Sequence, residues 1–308
     1  SIELPRFGKM SFENSVANPF TGTKTVVVNT DDSTPGQVYV YVGQKTNAGN
    51  PVERAGLTNG SLYGIRVVGL PLEVREVGVP IPTAFDMVPF GDVSALSEAD
   101  LDAASDLGGV TKFLRPEDGA WDPSFPNDFY FVTTDRYDQV KDGVGGQIGR
   151  SRLYRLRFAN RFLPELGGVI EMLLDGTEAG NMFDNMCFSK DGDVIIQEDP
   201  GNQQHNAKVW RYDIQSDALT LFAMHDKQRF GDVGVPASAP YNQDEAASGI
   251  IDASGILGRG WFLLTDQTHY SITGDPELVQ GGQLLAIYDP QTDNDTDPGF
   301  NPAWLRNN

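Results

Sequence analysis

The chain has 308 residues and carries 23 Lys+Arg against 43 Asp+Glu, a formal net charge of −20. That excess repels nucleic acid, whose affinity rests on cationic neutralisation of phosphates, and anionic membrane surfaces; no run of about 18 apolar residues is present to span a bilayer. The acid is 30 Asp against only 13 Glu, accompanied by 34 Gly and 19 Pro, and because Asp favours caps and turns over helix interiors this balance points to a turn-rich β protein. One cysteine, Cys187, leaves no partner for an intrachain disulfide. Scarce Lys (8, against 15 Arg) with abundant Asp fits a saline exterior, so a secreted, periplasmic or cell-surface location is expected. No basic segment followed by an apolar stretch opens the chain, so any targeting peptide is expected to be already removed or outside this sequence.

In chain order, short apolar runs alternate with Gly, Pro and Asp clusters. TVVVNTDD (25–32) is followed by GQVYVYV (36–42), and SLYGIRV (61–67) reads as a strand of a fifth unit whose partner is degraded. Ser97 to Leu107 is the best helical candidate, with Ser97 as N-cap and acids in the first turn. FYFVTTD (129–135) then precedes SRLYRLRF (151–158), DVIIQED (193–199) precedes AKVWRYD (207–213), and GWFLLTD (260–266) precedes GQLLAIYD (282–289). Four copies of one hairpin grammar point to an all-β β-propeller, and at about 40–50 residues per blade the chain holds about six blades. The expected organisation is one domain over 1–308, with a helical insertion near 97–107 and an acidic tail at 291–308. Within that tail DNDTDPG (293–299) resembles part of a calcium loop without its closing Glu. A β-sandwich, or two small β domains, is the competing architecture.

Ahead of each repeat lies an acid. Glu13 precedes Asp31 by 18 residues, Glu117 precedes Asp135 by 18, Asp184 precedes Asp199 by 15, and Glu245 precedes Asp266 by 21. The innermost strand of each propeller blade lines the central channel, so acids at matching positions converge near the axis. Converging carboxylates repel unless a multivalent cation neutralises them, which predicts a polynuclear metal site at one mouth of the channel. Glu198, at the end of its strand, is a further candidate; turn caps and solvated rim charges are the plain alternative for each acid. Arg115 and Glu117 are two apart in RPEDGAWDP, so an extended strand sets both on one face. An Arg aimed into such a cluster forms a fork for an oxyanion; its other reading is simple neutralisation of Glu117 or Asp118. His205, His225 and His269 are too scattered for a zinc motif, and Cys187 in its hydrophobic stretch reads as a small buried apolar residue. No GxSxG, HExxH, Walker A or helix-linked GxGxxG motif occurs.

GKMSFE (8–13), LRPEDGAWDP (114–123), FDNMCFSKDGDVIIQED (183–199) and EAASGIIDASGILGRGWFLLTDQTHY (245–270) together resemble the PhoX-like family of bacterial alkaline phosphatases. These are secreted β-propeller enzymes that hydrolyse phosphate esters with calcium and iron, and the 245–252 segment is similar to members described as phosphatase-like or phytase-like. The resemblance implies metal ligation by Glu13 and Glu117, phosphate contact by Arg115, and metal roles for Glu198 and Glu245. It also implies a small phosphorylated substrate and bound metal ions as partners. The family's Thr-Cys-Glu-Glu string is not in this sequence, and Phe12 stands where the family usually has His before the glutamate. The chain is therefore expected to begin partway into the family's propeller, with Ca2+ as its cation and Fe3+ lacking its cysteine-containing ligand segment.

Two functions follow: a metal-dependent phosphoric ester hydrolase, or a non-catalytic calcium-stabilised propeller acting as an extracellular surface or binding protein. The Arg115–Glu117 pair favours the first, and the missing string favours the second. Lactonase-type hydrolysis has no supporting motif.

Overall fold

The computed structural model describes residues 1–135, 150–201, 203–274 and 277–292; the 293–299 segment and most of the acidic tail lie outside them. Among the described residues antiparallel strands dominate. The first unit contains β1 (Phe12–Ala17), β2 (Lys24–Asp31), β3 (Gly36–Gln44) and β4 (Ser61–Val67), with β5 (Thr83–Gly91) added beyond β4. A two-residue β6 (Lys112–Phe113) pairs with the start of β3. The second unit is β7 (Pro116–Trp121), β8 (Asp128–Thr133), β9 (Arg152–Phe158) and β10 (Gly168–Leu174). Then come β11 (Phe183–Phe188), β12 (Val194–Glu198), β13 (Lys208–Asp213) and β14 (Ala218–Met224), and finally β15 (Glu245–Asp252), β16 (Trp261–Thr268) and β17 (Gln283–Tyr288). Residues Gly168–Ile170 of β10 pair with Thr83–Phe85 of β5, which fuses the first two units into one ten-stranded sheet.

The inner strands β1, β7, β11 and β15 pack side by side, and the units radiate from them in the manner of propeller blades. The cores are slabs between units. Strand alternation sends Val194 and Ile196 of β12 toward the second unit and Ile195 toward the fourth. A sheet buried on both faces needs apolar residues at successive positions, which is why VVV in β2 and VYVYV in β3 read as continuous runs. Between the first two units Val26, Val28, Phe113, Phe131 and Tyr154 form the largest slab. The outer face of the first unit is covered by the helix Glu98–Gly108 through Leu101, packed with Phe7, Tyr39 and Tyr41. Ser97 caps that helix, with Asp100 reciprocating.

The all-β propeller reading holds, and the recurring hairpins are the second and third strands of each unit. Two expectations change. Four blade-like units form among the described residues where about six were expected, because dividing length by blade size ignores the insertions: the β3–β4 and β4–β5 connections and the helix occupy much of residues 45–111. SLYGIRV belongs to no fifth unit; as β4 it pairs with β3 through Tyr39↔Gly64 to Val42↔Ser61 and closes the first.

Candidate functional site

Each inner strand carries a bulge at the same register. The pairs Phe12↔Asp31, Pro116↔Thr133, Phe183↔Glu198 and Ala247↔Asp266 are equivalent, and in all four strands the register shifts immediately afterwards. A bulge turns successive side chains to one side of the sheet. Here it presents Glu13, Glu117, Asp184 and Ser248 at matching positions. The residues just beyond the paired second strands are also matched: Asp32, Thr134 and Asp199 donate their amides to the carbonyls of Ser11, Arg115 and Met182, and Gln267 pairs with Ala246 at the corresponding place in the fourth unit. Three units thus supply acid at one or both positions, and the fourth supplies Ser and Gln.

Glu13, Asp32 and Glu117 offer carboxylate oxygens within 4.8 Å of one another. Arg115 lies among them. Its Nε is 2.8 Å from Asp32 Oδ1 and its Nη2 3.1 Å from Asp32 Oδ2, a two-pronged pair, while Nη2 is also 3.0 Å from Glu117 Oε1. The two side chains meet by a route the sequence did not indicate: Arg115 precedes the strand and sits at φ 59, in the left-handed region, which is strained for a residue with a Cβ. Met182, at the equivalent position of the third unit, has φ 53.

Glu117 is fully buried, and its two oxygens differ. Oε1 lies 3.0 Å from the arginine and 2.6 Å from Thr134 Oγ1, whereas Oε2 is buried with no hydrogen-bond partner. Burial pushes Glu117 well above the usual carboxylate range, the charge of Asp184 adds to this, and Arg115 opposes it. Asp184 is raised by burial and then by Asp199 and Glu13; Glu13 is raised by burial and then by Asp32 and Asp118; burial likewise raises Asp199. Five carboxylates therefore share one field with one arginine. A lone buried carboxylate oxygen aimed into such a field is costly unless a cation meets it, so this donor set fits an oxygen-liganded metal ion.

Of the acids expected from sequence, the structure brings Glu13 and Glu117 together and adds Asp32, with Asp184 and Asp199 beside them. Glu198 and Glu245 stand apart. Glu198 accepts hydrogen bonds from the Asn181 and Lys208 amides and from Trp210 Nε1, at 2.8, 3.0 and 2.7 Å, which ties β12 to its surroundings. Glu245 lies two residues ahead of the position equivalent to Phe12; its Oε1 accepts from the Ala207 amide at 3.2 Å, its Oε2, like that of Glu117, is buried with no hydrogen-bond partner, and burial pushes it up to about 7. Asp32 was hidden in the TDD triplet, where the bulge and not the spacing decides which Asp faces the centre. Asp118 faces the neighbouring units instead: it accepts from Asn14 Nδ2 and, at 3.0 Å, from the Met186 amide. The three histidines stay separate. His205 Nε2 is 3.3 Å from Glu198, His225 Nε2 is 2.8 Å from Asp266, and His269 lies between Gln267 and Gln280, close enough to Asp199 to lower it. Cys187 packs in the slab between the third and fourth units, where burial raises its thiol, as its apolar setting in the sequence suggests.

The family described as alkaline phosphatase PhoX matches residues 2–232. Among solved structures, Pseudomonas fluorescens PhoX in complex with vanadate, a transition state analogue, shares the fold with a TM-score of 0.66 at 17% identity, over 94% of this chain and 55% of that one. The chain thus spans about half the length of that protein. Comparison with curated proteins gave no match. With the family match covering most of the sequence and including the Glu13 and Arg115–Glu117 segments, the chain belongs to the alkaline phosphatase PhoX family.

Proposed function

We propose that the chain hydrolyses small phosphate esters at this centre, as a secreted, periplasmic or cell-surface phosphatase using Ca2+ held by Glu13, Asp32 and Glu117, with Asp184 and Asp199 beside them. The observation that carries the reading is the unpartnered, buried Glu117 Oε2 next to an arginine fork. Carboxylate oxygens in number are what calcium takes. When bound, the cation supplies positive charge and Lewis acidity at the phosphoryl group.

The protein's own contribution is orientation and charge. The Arg115 guanidinium is a planar cation of the kind that meets phosphoryl oxygens. Asp32 takes its Nε and Nη2 and Glu117 shares Nη2, so the direction of the group and of its charge is fixed before substrate arrives. Charge developing on the phosphoryl oxygens is then met by a group already in place. Vanadate, bound by the Pseudomonas fluorescens protein, is an oxyanion of the kind such a cation recognises. The location rests on the excess of Asp over Glu and the scarcity of Lys, and among the described residues no helix is long and apolar enough to cross a membrane.

Turnover of p-nitrophenyl phosphate with calcium, after chelation, and in Arg115→Ala tests the reading. Activity lost in both of the latter conditions supports it. Stoichiometric bound calcium without turnover overturns it in favour of a calcium-stabilised binding protein.

A further inference from the structure

We propose that Glu73, a carboxylate carried in from the β4–β5 connection, is the positioning residue that sets Arg115 toward the substrate. The inference rests on the reading of Arg115 as the phosphoryl-binding group. It starts from a comparison of the units. In the first unit, the chain entering the inner strand is held by a carboxylate of its own second strand: the Ser11 amide donates to Asp31 Oδ1 at 3.2 Å. In the third unit the amide one register place earlier, that of Asn181, which matches Leu114, donates to Glu198 Oε1 at 2.8 Å. Asp31 and Glu198 occupy the register position that is Thr133 in the second unit. Thr133 is too short and carries no charge; its buried hydroxyl has no hydrogen-bond partner.

The second unit fills the gap from elsewhere. The Leu114 amide, next to Arg115, donates to Glu73 Oε2 at 2.8 Å. The other oxygen of Glu73 accepts from Arg152 Nη1 at 2.8 Å and from the Tyr154 hydroxyl at 2.7 Å. Glu73 and Arg152 are each 1% exposed and Tyr154 is 0% exposed, so the carboxylate is fixed in place. The Glu73 amide donates to the Lys112 carbonyl at 2.8 Å, which pins the connection to the chain just before the turn. The same connection supplies Arg75, whose Nε bonds both oxygens of Asp135 at 3.1 and 2.9 Å. The amides of Thr134 and Asp135 donate to the carbonyls of Arg115 and Leu114, both at 3.1 Å. The left-handed Arg115 is therefore clamped on both sides, by Glu73 through the Leu114 amide and by the Thr134 and Asp135 amides. A conformation of that kind persists only where its surroundings over-determine it.

The test uses the calcium-loaded protein and the variants Glu73→Gln, Arg115→Ala and the two together. Gln keeps the size of the side chain but cannot accept from three donors. Misplacing a positioned group by about 1 Å costs up to roughly 100-fold, so Glu73→Gln is expected to lower kcat/KM for p-nitrophenyl phosphate by about 10- to 100-fold and to weaken vanadate binding, read by calorimetry, similarly. Calcium content stays unchanged, and hydrogen exchange at the Leu114 amide speeds up. The decisive readout is non-additivity: adding Arg115→Ala to Glu73→Gln costs far less than Arg115→Ala alone. Additive losses, or unchanged vanadate binding in Glu73→Gln, overturn the proposal. If Arg115→Ala alone leaves turnover intact, the reading of Arg115 fails instead, and the two failures are distinguishable. Should Glu73→Gln not fold, Tyr154→Phe removes one donor from Glu73 without stranding a charge. It is expected to shift vanadate binding in the same direction, and no shift there overturns the proposal.

Discussion

Arg115 and a bound cation compete for the same oxygens, and this gives a prediction opposite to the usual one for a site residue. In the metal-free protein the guanidinium neutralises Glu117 across 3.0 Å. Coulomb's law puts that attraction at about 1.4 kcal/mol in a water-like medium and about 5.5 kcal/mol at an effective dielectric constant near 20. The Arg115 side chain is 21% exposed, so the lower figure is the safer one. A cation that takes Glu117 and Asp32 gives up part of this attraction and gains a positive neighbour. Arg115→Ala removes both penalties, and the smaller figure corresponds to about tenfold. The expected result is calcium binding tightened by about tenfold or more in titration calorimetry, together with lost p-nitrophenyl phosphate turnover. Unchanged or weaker calcium binding would refute the reasoning, because it would show that the cation does not share oxygens with the arginine.

Glu117→Gln removes the buried charge at the centre; calcium affinity is expected to fall by about 100-fold or more, while the melting temperature of the metal-free protein rises, since the unpartnered Oε2 anion is gone. Glu198→Ala leaves calcium content unchanged but strands three donors, so chemical denaturation should show a loss of about 3–5 kcal/mol; a loss of calcium with little change in stability would reassign Glu198 as a ligand. Stability is expected to fall as pH rises between about 4.5 and about 7, because Glu245 is pushed up to about 7 by burial and so binds its proton more tightly folded than unfolded. His225, pulled down by burial but raised further by Asp266, acts in the same direction, its contribution being lost as pH rises through its folded value. Glu245→Gln should flatten the profile by at most about 3 kcal/mol, and an unaltered profile would count against the shift.

The second and third strands of each unit were legible because sheets buried on both faces leave long apolar runs, such as VVV in β2 and VYVYV in β3. The inner strands were not: β1 and β11 are partly exposed and bulged, and mix acid and amide side chains with apolar ones without clean alternation. The acids at their heads were visible as a recurring feature, but spacing alone paired Glu13 with Asp31 and Glu117 with Asp135. The bulge moves the true partners to Asp32 and Thr134, and it separates Asp184 from Glu245, which look alike in sequence. Glu198 illustrates a second limit. An acid at a strand end reads the same whether it faces a metal or three protein donors, and only the fold shows the Trp210 indole and two amides closing on it. Glu73 had no signal at all, since its partner Leu114 lies 41 residues away across a connection without periodicity.

The bulge explains why acidic centre and blade packing come from one device. It turns two neighbouring side chains of an inner strand to the same side, and they do different work. Glu13, Glu117 and Asp184 reach the centre; Asn14, Asp118 and Asn185, the next residues, lock adjacent units together, with Asn14 and the Met186 amide both bonding Asp118 and the Gly249 amide donating to Asn185 at 2.8 Å. The distances among the acids are thereby set by inter-unit hydrogen bonds as much as by the carboxylates themselves, and mutual repulsion cannot simply spread them apart. The fourth unit breaks the pattern with Ser248 and Gln267, and places His269 beside Gln267 at 3.0 Å. Among the described residues the bulge positions of the first three units carry acid and that of the fourth does not, while Asp244 at the head of the fourth unit still raises Asp199. On a chain of net charge −20, Arg115 is a cation that these acids share.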